Sequence, residues 1–312
     1  MDFKNVVIAG GGVLGSQIAF QSAFKGFNVK IWLRSEDSIG RAKPKFERLQ
    51  NIYLDTLEAM KTNPAAYCRG FTDSKNLSDK EIDDLKVRAI KGYESIQLTT
   101  SYEEAFKDAD IVIEAIAEIP KEKIEFYQEI DKHLPADTVI VTNSSTLLPS
   151  AFAEYTGRPE KYLGLHFANS IWKNNTAEVM GHPGTDQKYY DQVVEFSDAI
   201  GMVPLKLKKE QPGYILNSML VPFLNSAQAL LAKDVADPET IDKTWKLATG
   251  APAGPFQILD IVGLSTAYNI ISMNPDSKDP ETDPGKIAAM LKKYIDQGKT
   301  GINTGEGFYK YK

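Results

Sequence analysis

The stretch that most narrows what this chain can become lies at its start. Asn5-Val-Val-Ile-Ala9 is a short apolar run, Gly10-Gly-Gly12-Val-Leu-Gly15 follows at once, and Ser16 to Phe24 continues with apolar residues at helical spacing. Strand, glycine turn and helix in that order, with Gly10, Gly12 and Gly15 spaced G-x-G-x-x-G, form the fingerprint of a dinucleotide-binding βα turn. The first glycine makes the tight turn, the second lets the backbone approach a pyrophosphate, and the third lets helix pack on strand. The helix then points its free N–H groups at the phosphates, so Val13 and Leu14 join the glycines beside the cofactor. Phe27 to Leu33 supplies a second strand.

The rest of the chain extends this beginning. At 312 residues it is long for one compact domain and is expected to form two. Short strands at Ile96–Thr100, Ala109–Ile116, Thr138–Thr142, Lys161–His166, Thr176–Met180 and Met202–Leu207 alternate with helical patterns. That alternation predicts an α/β, doubly wound, mostly parallel Rossmann-type sheet over residues 1–207. A helical arm over about 35–91 interrupts it, bounded by a break at Asn63-Pro64 and a capping box at Ser78 to Glu81. In the helix starting at Pro120, Glu122, Lys123 and Glu125 are expected on the wet side. Beyond Gln211-Pro-Gly213 strand signals stop, and 208–312 reads as an all-helical domain with helices at Gly213–Lys233, Pro238–Thr249, Pro255–Met273 and Pro284–Gln297.

Charge and cysteine usage exclude several classes of function. A formal net charge of −6 lacks the basic face that nucleic-acid binding needs. Cys68 is the only cysteine, so there is no intramolecular disulfide and no thiolate cluster for a metal; none is expected. The most apolar stretch, Tyr214 to Leu231, is interrupted by Asn217, Pro222, Asn225 and Gln228 and reads as a buried helix rather than a membrane span. A cytoplasmic location is expected, because strand begins almost at the first residue.

Of the three histidines, His133 and His182 read as surface residues, whereas His166 ends an apolar strand on the sheet edge where the dinucleotide must lie. Imidazole passes protons near neutral pH, which suits a general acid/base. Glu178 in the next strand is a carboxylate able to fix the tautomer of that imidazole, and Ser144, Ser145 and Thr146 end the preceding strand as hydroxyl donors or helix caps.

Gly10-x-Gly12-x-x-Gly15, Glu114-Ala-Ile-Ala-Glu118, Asn143-Ser-Ser145, Gly164-Leu-His-Phe167, Ala177-Glu-Val179, Pro212-Gly-Tyr-Ile-Leu-Asn217, Gly254-Pro-Phe256, Asp260-x-Val-Gly263 and Thr304-Gly-Glu-Gly-Phe-Tyr309 follow one another from end to end. In this order they resemble the L-3-hydroxyacyl-CoA dehydrogenases, including the lambda-crystallin and gulonate dehydrogenase branch. The resemblance implies His166 as general acid/base, Glu178 as its orienting partner, and Ser145 and Asn217 as donors to the substrate oxygen. It also implies Glu118 and Lys123 near the nicotinamide, Asn143 as a further cofactor contact, an active site between the two domains, and a homodimer through the helical domain. The implied reaction interconverts a 3-hydroxyacyl-CoA and a 3-oxoacyl-CoA of short chain. A free 3-hydroxy acid or a diketo ester is the alternative substrate, and a non-catalytic dinucleotide-binding protein the minor alternative.

Three departures from that family pattern stand out. His166-Phe-Ala-Asn-Ser170 replaces the usual continuation and is followed by Ile171-Trp-Lys-Asn-Asn-Thr176. The serine and lysine expected in the arm for CoA are missing, though Lys43, Lys45, Arg48 and Lys61 offer other positive charge. The acid expected at the end of the second strand, which binds the ribose 2′-hydroxyl of NAD, is replaced by Leu33-Arg34-Ser35. NADP(H) is therefore expected over NAD(H), with Arg34 and Ser35 toward the extra phosphate, unless Glu36 or Asp37 takes the ribose role.

Overall fold

The computed structural model describes residues 3–311 and divides into two compact units, Met1–Ile215 and Leu216–Lys312. The sequence places the change of architecture at Leu207; the first unit runs on through the turn at Gly213 and Tyr214.

In the first unit β1 (Asn5–Ala9), α1 (Val13–Phe24) and β2 (Asn28–Trp32) lead into α2 (Glu36–Met60) and α3 (Asp79–Ser95). Then follow β3 (Gln97–Thr99), α4 (Tyr102–Phe106), β4 (Ile111–Glu114), α5 (Pro120–Ile130), β5 (Val139–Thr142), β6 (Tyr162–Phe167), β7 (Thr176–Met180), α6 (Gln187–Ala199) and β8 (Val203–Lys206). The eight strands make one sheet in the order β3-β2-β1-β4-β5-β6-β7-β8, parallel except where β7 runs against β6. Strand order reverses between β1 and β4, and the crevice outside the carboxyl ends there is where such a sheet takes a ligand.

Both faces of the sheet are covered. Ile8, Ile31, Ile113 and Leu165 pack under α1, α2, α3 and α6, while Val7, Val112 and Ile140 pack under α4 and α5. The arm is a helix pair laid on α1. Gly92 lets α3 approach α1 closely, since a Cβ there would sit 3.0 Å from the Phe24 nitrogen. Its tip is tied to the unusual loop after β6: Gly70 N–H donates to Trp172 O (3.0 Å), and Arg69 Nε donates to Asn175 Oδ1 (3.0 Å). Ser170, at φ 58°, and Ile171 both donate backbone N–H to Gln17 Oε1, so that loop is held by α1 as well.

The second unit comprises α7 (Leu216–Ala232), α8 (Pro238–Thr249), α9 (Pro255–Val262), α10 (Leu264–Ser272) and α11 (Asp283–Asp296) around Leu224, Phe256, Leu259, Leu264 and Leu291. The expected single helix over Pro255–Met273 is two helices. Gly263, at φ 93°, breaks it, because a helix cannot pass through a positive φ. Among the described residues no helix is long and apolar enough to cross a membrane.

Candidate active site

The glycine turn separates three reasons for glycine. Gly10 has φ 111°, a conformation that side chains avoid. A Cβ on Gly15 would collide with the Gly10 carbonyl oxygen, so the helix can sit on the strand only with glycine there. Gly12 has neither excuse: its φ of −66° suits any residue, and a Cβ would meet no protein atom within 4 Å. What that Cβ would obstruct is the space in front of the turn, which is the requirement of a ligand that approaches the backbone closely. Gly12 is also the N-cap of α1 and gives no side-chain cap, so the helix offers its first N–H groups outward.

Two cavities open from this turn. One of about 760 Å³ is lined by Gly10, Gly11, Gly12, Leu33 and Arg34, by Ser38, Arg41 and Lys45 of α2, by Trp32, Tyr102 and Phe126, and by Glu122, Glu125 and Glu129 of α5. The other, about 140 Å³, is lined by Gly12, Val13, Leu14, Gly15, Glu118, Lys123, Asn143 and Ser144. Ten of the residues read from sequence as cofactor contacts thus line one cavity or the other. Ser35 does not. It is the N-cap of α2, accepting from Ser38 N–H. Glu36 lies near Thr100 Oγ1 (3.3 Å), and neither it nor Asp37 lines the larger cavity.

Lys123 corrects the sequence reading. Expected on the wet side of α5, it is fully buried, with Nζ donating to Glu114 Oε1 at 2.6 Å and lying 3.7 Å from Glu118. Burying an ammonium requires a paired carboxylate, and Glu114 is that pair. It sits at the end of β4, fully buried, and also accepts from Ile116 N–H, Tyr127 Oη and Thr142 Oγ1 at 2.7–2.9 Å. Thr142 in turn accepts from Ser144 N–H, and Ser144 Oγ donates to Glu118. The signal that could have found this network is a carboxylate ending the apolar run Ile111-Val-Ile-Glu114.

Beside it, three residues brought together by β5, β6 and β7 form a line. His166 and Glu178 are direct partners in the antiparallel β6–β7 register, so their side chains leave the same face of the sheet. Nδ1 of His166 is 2.9 Å from Glu178 Oε2, and its Nε2 is 3.0 Å from Ser145 Oγ. The other Glu178 oxygen accepts from Ile215 N–H at 2.8 Å. Both His166 and Glu178 are buried. The Tyr214 ring stacks on the imidazole with centroids 4.7 Å apart, and burial, then the Glu178 charge, hold its phenol well above the usual range and therefore protonated. Sequence reasoning passed over Tyr214 although it lies inside a quoted motif. Asn217 is in α7 of the second unit and partly buried.

Of the cations noted in the arm, Lys61 is paired with Asp83 (2.7 Å) and Glu58 (3.3 Å), and Lys45 donates to Gly11 O (2.6 Å). Lys43 and Arg48 are exposed.

Residues 5–211 match the family model of the 3-hydroxyacyl-CoA dehydrogenase NAD binding domain, and residues 213–311 that of the 3-hydroxyacyl-CoA dehydrogenase C-terminal domain. The mitochondrial hydroxyacyl-coenzyme A dehydrogenase of Rattus norvegicus is 33% identical over 99% of this chain and 91% of its own. A probable 3-hydroxybutyryl-CoA dehydrogenase of Bacillus subtilis (strain 168) is 29% identical, covering 100% of this chain and 98% of its own. A solved diketoreductase structure, described by the phrase "substrate-directed dual catalysis of dicarbonyl compounds", is 48% identical, covers 100% of both chains and superposes with a TM-score of 0.85.

Proposed function

Because the chain belongs to the 3-hydroxyacyl-CoA dehydrogenase family, oxidoreductases acting on a CH–OH group, we propose that it interconverts a 3-hydroxy and a 3-oxo carbonyl compound, a carrier-free dicarbonyl substrate ahead of a CoA thioester. The Ser145–His166–Glu178 line carries this reading. With Glu178 accepting from Nδ1–H, Nε2 carries the lone pair of the neutral imidazole and accepts from Ser145 Oγ–H until the substrate hydroxyl takes that place. In the oxidative direction that nitrogen takes the hydroxyl proton, and Glu178 offsets the positive charge that develops; in reduction His166 returns the proton. Ser145 Oγ holds the substrate oxygen from one side, and Asn217 is assigned the second donor from the family resemblance. Burial of the pair and the Tyr214 ring keep water from the imidazole.

The nicotinamide, when bound, supplies or receives the hydride. Gly12 and the α1 N-terminus would hold its pyrophosphate, and Glu118, Lys123 and Asn143 would face its nicotinamide end. NADP(H) is favoured over NAD(H): a carboxylate about 5 Å from the 2′-phosphate would cost about 3 kcal/mol for each phosphate charge at an effective dielectric near 20, and Leu33 removes it.

Two observations favour the carrier-free substrate. Identity to the diketoreductase is 48%, against 33% for the mitochondrial enzyme. Lys61 and Lys45, two of the arm's four candidate cations for a CoA phosphate, are engaged elsewhere. A short-chain thioester is the second reading, favoured by the family named in both matching models. Pairing of two copies through the helical unit, where Met219, Leu247, Ile261 and Met273 are exposed, belongs to the same proposal; sedimentation showing only single chains removes it.

Replacing His166 tests the chemistry. His166→Ala is expected to lower kcat by about 10² to 10⁴, while nucleotide binding persists. Near-parental kcat in that variant overturns the assignment.

A further inference from the structure

The larger cavity is divided by charge, and the division comes from its elements. Every carboxylate in its lining belongs to α5: Glu122, Glu125 and Glu129. On the other side Arg34 follows β2, and α2 contributes Ser38, Arg41 and Lys45, three residues whose spacing puts them along one helix face. A hydroxyl, an ammonium and two guanidinium groups therefore stand beside Leu33, at the strand end where a ribose-binding acid would project.

These groups are not interchangeable. Lys45 donates to Gly11 O at 2.6 Å, which fixes it over the glycine turn, where it would stand beside a bound pyrophosphate. Arg41 Nη2 donates to Ser38 Oγ at 2.8 Å, and Ser38 is also within 3.0 Å of the capping hydroxyl of Ser35. Arg41 thus keeps most of its fork for another acceptor, with its orientation already set by one bond. Arg34 is 3.6 Å from Glu122 across the cavity mouth, an exposed pair that is worth little and can be exchanged for a stronger acceptor. The aromatic rings of Trp32, Tyr102 and Phe126 line the remaining wall, as an adenine ring requires.

We infer that Arg41, held by Ser38, and Arg34 form a subsite for the 2′-phosphate of NADP(H) on the α2 side of this cavity. The subsite rests on the reading of the cavity as the adenosine end of the nicotinamide cofactor. It moves the phosphate contact from Ser35, which caps α2, to the next turn of that helix.

Calorimetric titration of the intact protein with 2′,5′-ADP and with ADP separates the two claims. The parent is expected to bind 2′,5′-ADP at least about tenfold more tightly, as one charge-assisted contact implies. Arg41→Ala and Arg34→Ala should each narrow that preference while ADP affinity stays, and the double variant should bring the two nucleotides to within about twofold of each other. ADP binding as tight as 2′,5′-ADP in the parent, or both nucleotides weakened equally by both substitutions, overturns the subsite and leaves the dinucleotide site standing. Failure of either nucleotide to bind removes both.

Discussion

At the scale of single residues, the proposed chemistry depends on two side chains whose partners are fixed by strand register. Glu178 uses one oxygen on His166 and the other on Ile215 N–H, so it orients the imidazole and the chain leaving the turn together. Glu178→Gln keeps the shape but offers Nδ1 a neutral partner that no longer offsets the imidazolium. Turnover should fall by about 10² to 10⁴, and measuring kcat and substrate KM separately should find the loss in kcat; a variant losing only KM would make Glu178 a substrate-binding group. His166 and Glu178 were legible because a lone histidine and a glutamate interrupt short apolar strands. Their pairing was expected as well; the antiparallel register that makes them direct neighbours was not legible, since register between strands is a tertiary property. Lys123 was misplaced for a related reason: helical periodicity put it with Glu122 and Glu125, and only the distant Glu114 makes its burial tolerable.

At the scale of elements, two buried aspartates hold residues 308–311 to the helices of the second unit. Residues 306–311 have few backbone partners of their own, yet Asp260 accepts from Phe308 N–H, Tyr309 N–H and Tyr311 Oη, and Asp242 accepts from Phe256 N–H, Gln257 N–H and Tyr309 Oη. Asp260→Ala orphans two backbone donors. It should cost about 2–4 kcal/mol in urea unfolding; a change below about 0.5 kcal/mol would show that the tail is held otherwise. Burial first, and the aspartate hydrogen bonds second, hold both tyrosines above their ordinary value of 10.0. A phenol raised in the folded state stabilises below its unfolded value, and that contribution is lost as pH rises beyond it, so the tail should loosen above pH 10. The start of α3 was legible from its capping box at Ser78. The break at Gly263 was not, because an isolated glycine inside a helical pattern is compatible with either outcome.

At the scale of the whole molecule, the fold class followed from one βα turn and the alternation after it, and the family followed from the order of short motifs along the whole chain. Substrate choice lies elsewhere. The proposed preference rests on which cations the arm's own contacts leave free. These are tertiary facts that the spacing of residues does not carry. The account therefore meets its most direct test in one set of rates: kcat/KM for the reduction of acetylacetone, ethyl acetoacetate, free acetoacetate and acetoacetyl-CoA by NADPH and by NADH. It predicts the highest values for a carrier-free dicarbonyl compound with NADPH. A higher kcat/KM for acetoacetyl-CoA than for every carrier-free compound would contradict the proposed substrate, and reduction of none of them would contradict the proposed reaction.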